Sequence, residues 1–397
     1  MEPEVIEISA DQMPKPKAKG KPHNKVAFHE IIDVDMDEDD RNDAGFTEPS
    51  LELLLGPGNS SHGRTELSLG SGSSSQSDSK ETNSTDMVKS NNKGKEVRVD
   101  AGYSFKTFDT VVDYSDHHYA KQKSAMNQPP KNWAKRIQEE WRILEKDLPD
   151  TIFVRVYESR MDILRAAIIG AEGTPYHDGL FFFDVCFPST YPDDPPLVNY
   201  HSGGLSINPN LYDNGYVCLS LLNTWDGDKN EMWLPGTSTM LQVLVSIQGL
   251  ILNAKPYFNE PGTEEDYEDE CEAEYGDENG GYYNESLSYN EDTLILSLKT
   301  MVYTMNKPPV NFEDLVFEHF RFRVHDILTA CKAYTEGVQV GCLVRGGAQD
   351  VDESHKGCST KFKNDVASYI NTLITAFKKI GAPEADKFMH LSEKISS

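Results

Sequence analysis

The sequence predicts an α+β domain built from one amphipathic helix, a meander of four antiparallel strands and further helices. Apolar residues recur at three- and four-residue steps between residues 133 and 148, which is the spacing of one helix face. Four short apolar segments follow, separated by glycine, proline and aspartate residues that are typical of turns. These segments are residues 152–157, 163–169, 180–187 and 197–200. A chain of 397 residues is long enough for two or three pieces of domain size.

The predicted first helix has an apolar face and a basic face. The apolar face carries Trp133, Ile137, Trp141, Leu144 and Leu148. Pro149 ends the helix, since proline cannot continue it. The basic residues are Lys131, Lys135, Arg136 and Arg142. Most basic helix faces are simply solvated, so this pattern alone predicts no partner.

The first 125 residues predict a long disordered N-terminal tail. Residues 15–25 are rich in lysine and proline, residues 33–40 are acidic, and residues 60–79 are rich in serine and glycine. No apolar periodicity is sustained, and such segments bury too little apolar surface to fold. Order is expected to begin near residue 129. The lysine-rich patch fits either a weak nuclear signal or a solvated tail.

The charge and the cysteine content exclude several function classes. A net charge of −27 argues against nucleic-acid binding, which needs a basic surface to neutralise phosphates. No apolar run approaches the roughly 18 residues of a membrane span. The cysteines show no zinc-ligand spacing and follow no signal peptide, which predicts reduced thiols and a cytoplasmic or nuclear location. They are Cys186, Cys218, Cys271, Cys331, Cys342 and Cys358.

Residues 260–285 form a strongly acidic segment, with twelve acidic and no basic residues. Such a block repels itself and usually stays solvated, so we expect a flexible insertion here. A docking tract for a basic partner is the alternative.

A run of motifs that ends at Cys218 is far more specific than the composition. A Gly-Thr-Pro-Tyr turn begins at Gly173, and a Phe-Pro-x-x-Tyr-Pro-x-x-Pro-Pro loop begins at Phe187. An Asn-Pro-Asn tripeptide ends at Asn210, eight residues before Cys218. In order and spacing, these four elements resemble the catalytic fold of ubiquitin-conjugating enzymes. The resemblance implies that residues 126–305 form the catalytic domain.

Cys218 is the residue that the resemblance identifies as the ubiquitin acceptor. A thiolate is a good nucleophile and, once acylated, a good leaving group, so a cysteine suits transfer of an acyl group from a thioester to an amine. A free cysteine is more commonly a small buried apolar residue. The motifs around Cys218 favour the catalytic interpretation.

Two further residues complete the implied site. Asn210 matches an asparagine that either stabilises the oxyanion formed from the thioester carbonyl or braces its own loop. Glu260 takes the place of an acidic residue that orients the incoming lysine, although it also fits as the mere start of the acidic segment. The tripeptide begins with Asn208 where the family has histidine, which puts the loop geometry in doubt.

The resemblance also implies partner surfaces. The first helix of the family meets the ubiquitin-activating enzyme and often the ligase, which assigns that role to Lys131, Lys135, Arg136 and Arg142. A predicted helix over residues 239–252 carries Val245, Gln248 and Gly249, where the family packs the thioester-linked ubiquitin. Core packing is the alternative for Val245.

Two regions resemble the large hybrid conjugating enzymes that also act as ligases. Residues 223–233 are an insertion just after Cys218, and its last residue, Trp233, is assigned to partner binding. The loop at residues 256–262 is the second.

Helical periodicity returns beyond the acidic segment. The predicted helices span residues 293–305, 312–334 and 361–379. The first is expected to pack on the core. Residues 306–397 form a helical C-terminal extension, which is either a cap on the core or a partner-binding surface.

Together these features predict an enzyme that accepts ubiquitin from an activating enzyme as a thioester on Cys218. It then passes ubiquitin to a lysine of a protein substrate, with or without a separate ligase. The activating enzyme consumes the ATP, so no cofactor or metal is expected. A conjugating enzyme for another ubiquitin-like modifier and an inactive ubiquitin-binding variant are alternatives. A cysteine protease would need a histidine beside the thiol, and neither His177 nor His201 lies in a protease-like motif.

Overall fold

The computed structural model describes residues 103–123, 131–227, 229–260, 285–341, 343–344, 347–348 and 357–389. They all belong to one compact unit. The strands are β1 (Phe108–Val111), β2 (Ile152–Tyr157), β3 (Arg160–Ile169), β4 (Leu180–Cys186), β5 (Leu197–Tyr200), β6 (Leu343–Val344) and β7 (Gly347–Ala348). The α-helices are α1 (Trp133–Asp147), α2 (Met240–Ser246), α3 (Glu285–Asn306), α4 (Glu313–Glu336) and α5 (Thr360–Lys379).

Strands β2 to β5 form the predicted antiparallel meander, which confirms the α+β fold. The bounds of β2 and β5 match the prediction, whereas β3 starts earlier, at Arg160, and β4 ends at Cys186. Every residue of β2 and of β4 is buried. Both faces of the sheet are therefore covered in its centre, whereas many antiparallel meanders leave one face exposed to solvent.

Residues 103–123 correct the prediction that the chain is disordered up to residue 125. They form β1, which extends the sheet by pairing in parallel with β2. Beyond β1, Tyr119 is buried in a cluster with Tyr157 and Ile163 on the face of the sheet, with Tyr114 packed against it. We call residues 103–123 the N-terminal strap. The prediction of disorder before it lies outside the described residues.

A buried ion pair anchors the N-terminal strap. Arg165 on β3 lies opposite Asp184 on β4, and its Nε donates to Asp184 Oδ1 over 2.6 Å. From the strap, the His118 backbone N–H donates to Asp184 and Asp116 accepts from Arg165, over 2.7 and 2.8 Å. Burial alone would raise the pKa of Asp184, yet the hydrogen bonds of His201 and Arg165 hold it well below its usual range.

Helix α1 buries a carboxylate that the apolar periodicity does not reveal. Glu140 is fully buried, while Trp141 and Leu148 are only half-buried. Its carboxylate accepts from the Tyr191 hydroxyl (2.6 Å) and from the Met240 backbone N–H (2.9 Å) at the start of α2. Arg136 lies 2.7 Å from the same carboxylate and donates to the Ser238 carbonyl. Arg136 thus joins α1 to the segment before α2, and its assignment as a partner-binding residue stays a prediction.

The three predicted C-terminal helices are present as α3, α4 and α5. Their apolar residues continue the core of the sheet, where Phe153 and Phe182 pack with Phe312, Leu315 and many others from the helices. The Gly-Thr-Pro-Tyr turn is tied to α4 by His177, whose Nε2 lies 2.8 Å from the Tyr334 hydroxyl. The boundary predicted at residue 306 therefore falls inside one continuous core, on which the described part of the extension packs as a cap. The role of its exposed face as a partner-binding surface stays a prediction.

The prediction of a flexible acidic insertion falls mostly on residues 261–284, which lie outside the described residues. The end of the helical extension, after residue 389, also lies outside them. Within the described residues, no helix is both long enough and apolar enough to cross a membrane.

Candidate active site

Cys218 lies on a loop that is hydrogen-bonded on both sides. Its backbone N–H donates to the Asn210 carbonyl over 2.9 Å, and the Asn210 side-chain amide donates to the Cys218 carbonyl, also over 2.9 Å. On the other side, Thr224 Oγ1 donates to the Val217 carbonyl (2.8 Å) and accepts from the Leu219 backbone N–H (2.9 Å). The predicted spacing of eight residues thus brings Asn210 and Cys218 into direct contact.

The thiol of Cys218 is held near a tyrosine hydroxyl. Cys218 is 4% exposed, and burial raises the pKa of its thiol, while a hydrogen bond from Tyr212 lowers it. Tyr212 itself is 43% exposed, so the site opens to solvent at this side chain. Sequence reasoning missed Tyr212, although its position two residues after Asn210 is a signal that was available.

Burial raises the pKa of the other described cysteine thiols. Burial raises the pKa of Cys186 and of Cys331 to about 12, and burial also raises the pKa of Cys358. The pKa of the Cys218 thiol is also raised by burial, but a hydrogen bond from Tyr212 offsets part of this effect. Stabilisation of the thiolate by this hydroxyl acts in the direction that acyl transfer requires.

Asn208 stands where the family has histidine, and this difference had put the geometry of the loop in doubt. The structure shows that Asn208 supports the loop. Its side chain is 1% exposed and uses both amide hydrogens, to the Tyr176 hydroxyl (2.7 Å) and the Ile251 carbonyl (2.8 Å). Its oxygen accepts from the Asn210 backbone N–H (2.8 Å) and from the Asn259 side-chain amide (3.2 Å). A buried polar side chain with every group bonded stabilises one conformation, so the loop is well defined.

The structure gives Asn210 the loop-supporting role in the resting site. Its amide nitrogen is engaged by the Cys218 carbonyl, and its Oδ1 is buried without a described hydrogen-bond partner. The same amide would have to leave the Cys218 carbonyl to stabilise an oxyanion. The oxyanion role stays a prediction.

Glu260 follows directly after a short 3₁₀ turn over Pro256–Asn259 and is exposed. Its carboxylate contributes to the raised pKa of Tyr212, after burial and Cys218. Glu260 therefore lies within electrostatic reach of the hydroxyl that hydrogen-bonds the thiol. The structure thus places Asn210 in contact with Cys218 and the Tyr212 hydroxyl beside its thiol, while Glu260 interacts electrostatically with Tyr212.

The predicted partner residues divide into exposed and buried ones. Trp233 is 5% exposed, its indole N–H donates to the Pro192 carbonyl (2.7 Å), and its ring packs against Tyr191, which corrects its assignment to partner binding. Gln248 donates to Thr151 and to Ile169 and so braces the sheet. The accessible residues of the predicted surfaces are Lys131, Lys135, Arg142 and Gly249, with Val245 half-buried.

We expect Tyr212→Phe to shift the reactivity of Cys218 to higher pH. The variant loses the hydrogen bond that lowers the thiol pKa, so a smaller fraction is thiolate at neutral pH. One neutral hydrogen bond predicts a roughly twofold to tenfold slower alkylation of Cys218 at pH 7. The rate should approach that of the wild type as the pH rises above both thiol pKa values. Tyr216→Phe is the matched control, and equal profiles for all three proteins would contradict the role of Tyr212.

Comparisons with known proteins agree with this site. The family model of the ubiquitin-conjugating enzymes matches residues 136–280. Probable ubiquitin-conjugating enzyme E2 25 of Arabidopsis thaliana is 61% identical over 271 residues, which is 68% of this chain and 43% of that protein. Putative ubiquitin-conjugating enzyme E2 38 of the same plant is 54% identical over 300 residues, which is 75% of this chain and 88% of that protein.

A more distant similarity extends to a much larger protein. The human dual E2 ubiquitin-conjugating enzyme/E3 ubiquitin-protein ligase BIRC6 is 38% identical over 262 residues, which is 62% of this chain and 5% of that protein. The chain thus spans less than half of the first relative and most of the second. Identity above one half over most of a relative's length, together with the described site, establishes the family. This chain belongs to the ubiquitin-conjugating enzymes.

Proposed function

We propose that the chain accepts ubiquitin as a thioester on Cys218 from a ubiquitin-activating enzyme and transfers it to a substrate lysine. The observation that carries this proposal is the Cys218 thiol, which is hydrogen-bonded by Tyr212, on a loop that Asn210 braces. Membership of the family and the reach of Glu260 to the same tyrosine support it.

In the first step, the Cys218 thiolate attacks the carbonyl carbon of the thioester on the activating enzyme. A new carbon–sulfur bond forms, the old one breaks, and the activating enzyme leaves as its own thiolate. Tyr212 favours this step because its hydroxyl stabilises the attacking thiolate. The exposed basic residues Lys131, Lys135 and Arg142 on and before α1 offer a surface for the activating enzyme.

In the second step, a lysine amine attacks the thioester on Cys218. The carbon–nitrogen bond forms, the carbon–sulfur bond breaks, and Cys218 leaves as a thiolate. Glu260 accepts a hydrogen bond from the incoming ammonium group and orients it while one ammonium proton passes to solvent water. The second proton, released as the amide forms, also passes to water. Asn210 is near enough to the Cys218 backbone to donate to the developing oxyanion once its amide turns from the Cys218 carbonyl.

A rival function as a cysteine protease has no support from the described residues. The two histidines that the sequence offered are engaged elsewhere. His177 contacts Asp178 and Tyr334, and His201 lies 3.0 Å from Asp184. A thiol protease needs a histidine hydrogen-bonded to its cysteine.

We further propose that transfer proceeds without a separate ligase. The resemblance of residues 223–233 to the hybrid enzymes motivates this proposal, and the similarity to a relative named as a dual enzyme supports it. The described helices of the C-terminal extension share the core of the catalytic domain. Their exposed faces are therefore held in a fixed position relative to Cys218, as a built-in substrate surface would require.

The test is a charging assay with the full chain, activating enzyme and ATP. With ubiquitin, we expect an adduct that a thiol reductant removes, and it should be absent without ATP. Parallel reactions with other ubiquitin-like modifiers and their own activating enzymes identify the modifier. An adduct with another modifier alone would replace ubiquitin in the proposal, and no adduct at all would indicate an inactive variant. Reductant-stable ladders on the chain itself, without added ligase, would support ligase-free transfer.

A further inference from the structure

The side chain of Asn208 links the loop of the acceptor cysteine to the loop of the acidic residue. Its Oδ1 accepts two hydrogen bonds, one from the Asn210 backbone N–H (2.8 Å) and one from Asn259 Nδ2 (3.2 Å). Asn210 in turn holds Cys218, and Asn259 directly precedes Glu260. One buried oxygen atom therefore connects both halves of the candidate site.

Asn259 is fixed by a second asparagine on its own side. Its amide nitrogen also donates to the Ile251 carbonyl over 3.1 Å, and its Oδ1 accepts from Asn253 Nδ2 over 2.6 Å. Asn253 donates in addition to the Leu250 carbonyl. The three asparagines 208, 259 and 253 thus form a continuous ladder of side-chain amides. Asn259 is its middle member and ends the 3₁₀ turn that leads into Glu260.

An imidazole at position 208 could not make the same link. A neutral histidine has one donor nitrogen and one acceptor nitrogen. The acceptor would serve the Asn210 backbone N–H and the donor would serve the Ile251 carbonyl, as the Asn208 amide does here. No atom would then remain to accept from Asn259. The bond between Asn208 and Asn259 is therefore a property of the asparagine that this chain carries at position 208.

Rotation of Asn259 would move Glu260, since the two residues are neighbours and the Glu260 backbone N–H is itself held weakly, 3.5 Å from the Tyr257 carbonyl. We propose that Asn208 and Asn259 are positioning residues of the transfer step, which together fix the backbone that carries Glu260 to the loop of the acceptor cysteine. This inference rests on the proposed function. It concerns discharge to lysine and leaves charging of Cys218 unaffected.

The test compares single-turnover discharge of the preloaded Cys218 thioester to free lysine. We expect Asn259→Ala and Asn208→His each to slow discharge up to about tenfold, as befits one lost hydrogen bond. The double variant should be no slower than either single variant, because both remove the same link. The double variant that combines Glu260→Ala and Asn259→Ala should likewise discharge no more slowly than Glu260→Ala alone. Higher pH should rescue Asn259→Ala and Glu260→Ala to the same extent, because it supplies free amine in both.

Charging rates and melting temperatures, measured on the same variants, separate positioning from folding. Asn306→Ala is the matched control, since Asn306 is exposed and bonds Lys379 on the surface. If Asn208→His does not fold, the comparison of Asn259→Ala, Glu260→Ala and their double variant still tests the inference. If charging is normal but each double variant discharges more slowly by the product of the two single effects, this inference is overturned and the proposed function still stands. If the wild type forms no thioester, the proposed function and this inference both fail.

Discussion

We expect Cys218→Ala to abolish the reductant-labile adduct that the proposed function predicts for the wild-type chain with ubiquitin, activating enzyme and ATP. The expected loss is complete because alanine has no nucleophile, and the other described thiols cannot replace it. Cys186 and Cys331 are buried with pKa values raised to about 12, so their thiolate fraction at neutral pH is very small. Non-reducing electrophoresis of the charging reaction measures the adduct directly.

Two variants sharpen this test. Cys218→Ser should give at most a slower adduct that survives reductant, because an oxygen ester replaces the thioester. Cys358→Ala is the matched control and should charge like the wild type, since its thiol donates to the Tyr334 carbonyl within the C-terminal helices. A thioester on Cys218→Ala at wild-type yield would place the acceptor elsewhere and remove the basis of the proposed function.

The secondary-structure elements were predictable from the sequence because they depend on local signals. The strands follow from runs of apolar residues between turns, and β2 and β5 appear at the predicted residues. The acceptor assignment rests on the resemblance of the motifs around Cys218 to the family, and the contact between Asn210 and Cys218 accounts for their spacing of eight residues.

The missed features depend on partners that are distant in the sequence. Glu140 looks like a solvated residue of an amphipathic helix, yet it is buried because Tyr191 and Met240 bond its carboxylate. Trp233 looks like an exposed aromatic residue of an insertion, yet the Pro192 carbonyl accepts its indole N–H. Burial of a polar group is favourable only where its hydrogen bonds are satisfied, and the sequence does not show where those partners come from.

The N-terminal strap was missed for the same reason. Its aromatic side chains show no helical or strand period in the sequence, and the polar groups that bond the strap lie far away along the chain. Asp116 joins the strap to two other parts of the fold, since it accepts from Arg165 in the sheet and from the Val310 backbone N–H before α4. Tyr103 adds a contact to α4, where its hydroxyl lies 2.7 Å from His319 Nδ1. The strap therefore connects the sheet with the C-terminal cap.

Two truncations that differ by twenty residues should consequently behave very differently. Removal of residues 1–100 keeps every described contact of the strap, so the melting temperature and the charging rate should stay close to those of the full chain. Removal of residues 1–120 exposes the buried pair of Arg165 and Asp184 and uncovers Tyr157 and Ile163. Disruption of a buried charge network typically costs about 3–5 kcal/mol, a large part of the roughly 5–15 kcal/mol that stabilises a domain. We expect little soluble folded protein from the longer truncation.

A single substitution tests the same anchor without removing chain. Asp116→Ala leaves the Arg165 guanidinium with one carboxylate partner instead of two and removes the acceptor of the Val310 N–H. We expect a lower free energy of unfolding by about 1–3 kcal/mol, measured by urea denaturation of the chain that lacks residues 1–100. Asp113→Ala is the matched control, because Asp113 is exposed and its carboxylate accepts from the Ser115 backbone N–H within the strap itself. A tail that is disordered to residue 125 would make both truncations and both substitutions equivalent, and that outcome would contradict the anchoring role of the strap.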